Sequence, residues 1–165
     1  MAYVSRGFIP QTSLAANLGF TRPMYIPAGN STATALYDIV KVSTSGSTVD
    51  TAGVPAGLMG CVRVSDKDDV PCGVIVGFIA DPDYLNQTYR SASTARVALV
   101  NYDPQVVLEA QEDDNGTTLA VARIGTPVDL VPGSIDTVTG TSGMQISSAT
   151  LAGSPGMFRL QQRSF

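Results

Sequence analysis

With no histidine in the sequence, the side chains to weigh for chemistry are its carboxylates and its two thiols. Histidine is the side chain whose unperturbed pKa lies nearest neutrality, so its absence removes most familiar nucleophile–base triads and every imidazole-bearing metal site. Asp66, Lys67, Asp68 and Asp69 form one carboxylate-rich group. Clustered carboxylates suit a hard cation such as calcium, but the helix–loop–helix calcium pattern needs Gly at loop position six and Glu at position twelve. Counted from Asp66, those places hold Pro71 and Gly77, so the segment reads as a solvated turn. Asp81 with Asp83, and Glu112 with Asp113 and Asp114, have the composition of an acid/base pair for hydrolysis. Pro82 and Gly116 beside them make turn formation the simpler account. Cys61 and Cys72 have ten residues between them and are too few to close a structural zinc site. They read as small buried hydrophobes, with a disulfide across the Asp-rich loop as the alternative. Gly53, Gly57 and Gly60 fit no phosphate-cradling spacing, and no Gly-Lys-Ser/Thr element follows them. The expectation is a protein that is not an enzyme, with no cofactor and no metal.

The elements that hold these residues are short. At 165 residues the chain has the length of one domain, and it can build a core without staples. Charged residues are 15% of it, against about 25% in ordinary soluble domains, while Ser, Thr, Gly and Pro are plentiful. The net charge of −4 opposes phosphate binding, so nucleic acid and anionic membranes are poor partners. No run approaches the ~18 apolar residues of a membrane span, and the first residues lack a basic segment followed by an apolar one. Synthesis in a cytoplasm and a soluble product are expected.

Residues 1–23 read as an extended N-terminal arm, since Gly7, Pro10 and Gly19 interrupt short apolar pieces. Deleting residues 1–20 is then expected to leave the core folded. Residues 24–165 read as a single β-rich domain. Strand signals recur at 24–26, 36–42, 58–64, 73–80, 95–100, 105–110, 128–131, 144–147 and 157–163, with turn residues between them. The runs 58–64 and 73–80 are the most apolar and are expected to be central. One short helix is expected over 117–123. The fold class is mainly β: a small β-barrel or β-sandwich core of about eight to ten short strands.

Tyr84, Tyr89, Arg90, Arg96 and Tyr102 form the one patch that mixes aromatic and basic residues. That mixture serves a single-stranded nucleic-acid groove or a protein interface, and the acidic balance favours the interface.

Residues 89–100, YRSASTARVALV, and 103–113, DPQVVLEAQED, resemble a pattern found in the capsid cement, or decoration, proteins of tailed bacteriophages. The likeness extends to Gly7, Phe8, Ile9 and Pro10 through Phe20, and to Ser142, Gly143 and Met144, Leu151, and the closing run 159–163. The resemblance implies a homotrimer on the outside of the virion's expanded icosahedral shell, bridging neighbouring major capsid proteins at three-fold or quasi-three-fold positions. It further implies a purely structural role. The residues assigned to partner contact are Arg6, Phe8 and Arg22 on the arm, and Tyr89, Arg90 and Arg96 on the loop and strand. A receptor- or glycan-binding β module of a head fibre or tail is the alternative, although the chain has no Trp and six Tyr with which to stack on sugars.

Overall fold

The computed structural model describes residues 5–13, 20–47, 54–66, 68–82, 85–113, 115, 119, 121–148 and 157–161. Eleven short strands and one 3-10 turn run along them. Strands β2 (Thr21–Ile26), β3 (Ile39–Ser43), β4 (Gly60–Arg63), β5 (Gly73–Phe78) and β6 (Arg96–Asn101) close into a barrel in the order β2-β4-β3-β5-β6, with β6 returning to β2. The β2–β4 pair is parallel and the others antiparallel. Closure removes free sheet edges from the part of the fold that carries most of its long-range pairing. Of the two architectures expected, the barrel is the one formed, and both central runs lie within it.

Alternation explains which side chains fill the barrel. On β2, Met24 and Ile26 are buried while Pro23 is exposed; on β6, Ala98 and Val100 point the same way as their β2 partners. With Val40, Cys61 and Ile75 they make one core. Faces of β3 and β5 carry a second set, Ile39, Val74 and Val76, that points away from the first. A second layer covers it with Phe8, Val64, Leu130, Met144 and Phe158. Three two-stranded sheets supply much of this layer. They are β1 (Ile9–Ser13) with β7 (Val106–Glu109), β8 (Pro127–Val128) with β11 (Phe158–Arg159), and β9 (Leu130–Val131) with β10 (Gln145–Ile146).

Two expectations change. The described part of residues 1–23 is not a free arm: Phe8 is 1% exposed and stacks on Phe158 at 5.0 Å between ring centroids, β1 pairs with β7, and residues 21–23 lie in the barrel. An aromatic of this size removes enough apolar surface from water to hold the segment down. The expected helix is reduced to a single 3-10 turn, Val121–Arg123; residues 117, 118 and 120 lie outside the described residues. Backbone approach fixes two glycines in the second layer. A Cβ on Gly133 would lie 1.8 Å from the Gly143 carbonyl oxygen, and one on Gly143 would lie 1.8 Å from that of Ser134.

Candidate functional site

One end of the barrel, where β2 and β5 finish and β6 starts, is built around arginines. Loop 27–34 follows β2 and lies against residues 90–94 through a pair of backbone hydrogen bonds between Thr34 and Arg90, at 2.9 and 2.7 Å. The Arg90 side chain is fully buried between the two segments. Its Nε donates to the Thr94 carbonyl at 2.7 Å, one terminal nitrogen donates to Thr32 at 2.6 Å, and the other donates to Pro27 and Asn30 at 2.9 and 2.8 Å. The planar fork thus meets four carbonyl oxygens, a pattern a lysine could not reproduce. Burial pulls its pKa down to about 10, which leaves it charged at neutral pH. Arg96, also buried, lies 4.8 Å from the centroid of the Phe78 ring and donates to the carbonyls of Tyr89 and Gln87.

A buried ion pair joins the same end to the second layer. Arg63 Nε lies 3.0 Å from Oδ2 of Asp38, which is fully buried. The Ala35 N–H donates to that oxygen at 2.8 Å and the Ser142 hydroxyl donates to Oδ1 at 2.5 Å. Burial raises the Asp38 pKa; Arg63, Ser142 and Ala35 offset this only in part. A terminal Arg63 nitrogen donates to the Gly133 carbonyl, so one side chain ties β4 to both Asp38 and segment 133–144. Tyr37, just before the carboxylate, holds φ at +67°, a left-handed conformation that costs a non-glycine residue free energy and is maintained by the surrounding bonds.

The carboxylates singled out as chemical candidates organise loops. Asp69 accepts from Lys41 Nζ at 2.5 Å and from the N–H groups of Ser65 and Asp66 at 3.0 and 3.1 Å. Slight burial pushes its pKa up, but these donors outweigh it and hold the value below the usual range. Glu112 accepts from the Leu119 N–H at 2.8 Å, and Asp113 from the Ser148 N–H at 2.6 Å. Asp83 and Asp114 lie outside the described residues. Among the described residues no group of three or more His, Cys, Asp or Glu could hold a metal. Both cysteines are free and belong to the barrel core or pack against it, and burial pushes Cys61 up to about 12 and Cys72 to about 11. Thiols held in that range are poor nucleophiles at neutral pH.

The structure separates the six residues assigned to partner contact. Arg6 and Arg22 are exposed, and Tyr89 is half-buried. Phe8, Arg90 and Arg96 are corrections: their side chains are buried inside their own chain, Phe8 in the second core and both arginines among carbonyls. Sequence reading missed the bare apolar side chains. Val138 is 90% exposed, Val70 80%, Leu85 75% and Phe20 57%. Leu85 and Val138 occupy turns and Val70 a loop, where local pattern does not tell a covered Val or Leu from a naked one. Phe20 stands beside Tyr102 at the opposite end of the barrel, joined by a 2.8 Å backbone hydrogen bond. Tyr102 belonged to the expected aromatic patch; Tyr84 lies outside the described residues.

The face of β3 and β4 that the second layer leaves open carries a shallow depression of about 410 Å³, with Lys41 and Val62 paired across it. Loop 27–32 forms one wall. No described helix is long and apolar enough to cross a membrane. Comparison with protein-family models, with curated proteins and with solved structures finds no match to this chain.

Proposed function

We propose that this protein is a structural virion component of a tailed bacteriophage. In this reading it binds the outer surface of the expanded icosahedral shell and bridges neighbouring major capsid proteins, as a homotrimer that carries out no turnover. The observation that supports it is the exposure of large apolar side chains in three turn or loop segments, Val70, Leu85 and Val138, of a protein built on a closed barrel. Isolated exposed hydrophobes are ordinary on any surface, but bare side chains in such segments on a stiff frame suit insertion into pockets of a partner. Thr88 and Gly140 are in contact, which brings the turns bearing Leu85 and Val138 side by side. Arg6 and Arg22, both exposed, and the Phe20–Tyr102 pair extend the proposed contact set.

The mechanism is linkage. A protein that binds only the assembled lattice stabilises it by its binding free energy, and many copies with several weak contacts act together. Purified protein mixed with empty expanded shells that lack it should co-sediment at fixed stoichiometry. Replacing Leu85 and Val138 together by Ser should abolish co-sedimentation while leaving the melting temperature unchanged. No co-sedimentation of the unaltered protein, or a monomer at every concentration, would overturn the reading.

A further inference from the structure

We propose that the depression on the open β3–β4 face is a binding site for a neutral saccharide, a role separate from shell attachment. Its floor is Lys41 beside Val62, and Pro27, Asn30, Thr32 and Ser45 stand around them. A volume of about 410 Å³ lies within the ~300–1,000 Å³ of small-molecule sites.

The argument from hydrogen bonding runs through unused groups. The Thr32 and Ser45 hydroxyls make no hydrogen bond among the described residues, and Asn30 uses its side-chain oxygen to accept from the Thr32 N–H at 2.9 Å, which leaves the amide NH₂ available. Lys41 Nζ donates one proton to Asp69 and keeps two. The wall therefore offers alternating hydroxyl, amide and ammonium groups next to two apolar surfaces, the Pro27 ring and Val62. A sugar ring presents the complementary pattern, hydroxyls around its rim and C–H groups on its faces.

Charge selects a neutral ligand over an acidic one. Lys41 is already paired with Asp69, and Arg63, which also lines the depression, with Asp38, so both cations of its described lining are compensated. The net charge of −4 repels anions at longer range. Among the described residues no aromatic side chain lines the depression, so affinity per site is weak, a Kd on the order of 1 mM, and useful attachment requires many copies.

Saturation-transfer NMR on the full chain tests this with maltohexaose and chitohexaose as neutral probes and oligoguluronate as the acidic one, each at up to about 20 mM, well above that Kd. The expected result is transfer to the neutral probes, weakened about tenfold in Kd by Thr32→Ala with Ser45→Ala and again by Lys41→Met, at unchanged far-ultraviolet circular dichroism. The paired hydroxyl substitutions touch no structural hydrogen bond, so they keep the test valid if Lys41→Met disturbs its loop. Binding of oligoguluronate alone, binding indifferent to both variants, or no transfer to either neutral probe would overturn the proposal. Shell co-sedimentation of the same variants should be unaltered, which keeps failure here apart from failure of the capsid reading.

Discussion

Arg90→Met is the most informative single change, because the structure allows its cost to be built up group by group. Methionine fills a similar volume and removes the fork that joins loop 27–34 to residues 90–94. Of the four carbonyls that Arg90 serves, two keep a backbone donor: Pro27 retains the Asn30 N–H at 3.0 Å, and Asn30 retains the Ser93 N–H at 2.9 Å. Thr32 is left with a hydroxyl 3.5 Å away, and Thr94 has no other donor among the described residues. Two part-buried carbonyls without good partners cost at most about 1–3 kcal/mol each. The guanidinium, however, carries a desolvation penalty of its own, visible in its lowered pKa, and methionine does not. The expected net loss is about 3 kcal/mol, a large fraction of a total stability of ~5–15 kcal/mol. At this chain length it corresponds to a fall in melting temperature of about 6–12 °C. Urea unfolding followed by circular dichroism and tyrosine fluorescence measures it, the chain having no tryptophan to dominate the signal. Arg90→Lys should fall between, retaining charge without the fork. A Met variant within about 1 kcal/mol of the parent would refute the view of Arg90 as a structural clasp.

Further outcomes follow from the same geometry. Phe8→Ala should lose about 3–5 kcal/mol by the same urea assay, and deleting residues 1–13 should lower stability at least as much, since β1 and the Phe8 ring leave together. Asp38→Asn should cost about 3 kcal/mol, because Arg63 is left as a buried cation without its counter-charge. Asp69 and Asp38 should bend the pH–stability curve in opposite directions. The lowered Asp69 pKa gives stability that is present above the ordinary carboxylate range and lost as pH falls through its folded value. The raised Asp38 pKa gives a contribution that declines as pH rises from that range towards its folded value. Melting temperatures from pH 2.5 to 6 should therefore show a shallower acid limb in Asp69→Asn. Gly143→Ala should yield little folded protein on expression, whereas Gly57→Ala, at φ +86° with open space around it, should cost about 1 kcal/mol.

The strands of the barrel, though not their closure, were largely legible in the sequence because what defines them is local. Met24 and Ile26 alternate with Pro23 and Tyr25, Gly73 opens an apolar run, and the 101–104 turn separates two more. The role of residues 5–13 was not legible. Gly7 and Pro10 make that stretch look loose, and only pairing with β7 about a hundred residues later, together with Phe158 near the other end, buries Phe8. Its stability comes wholly from contacts distant in sequence. The arginines misled for a related reason. Arg is mostly exposed, and a sequence does not show carbonyl oxygens converging from residues 27, 30, 32 and 94. Reading the cysteines as small hydrophobes, by contrast, needed only their number, and both are free in or against the core.

The division of labour between the two ends and faces of the barrel follows from where its polar groups are satisfied. At the arginine end, Arg90, Arg96 and the Asp38–Arg63 pair direct their charged groups inward, so what this end offers a partner is the Asn30 amide and the Thr32 hydroxyl that wall the depression. One outer face is closed by the second core. In the proposed reading, partner recognition falls to what these devices do not use: the exposed Val70, Leu85 and Val138, the Phe20–Tyr102 end, and the hydroxyl-lined β3–β4 face. Rigid positioning of such groups lowers the ordering cost of each weak contact. The paired substitutions at Leu85 with Val138 and at Thr32 with Ser45 should therefore separate, each removing one kind of binding without loosening the frame that holds both.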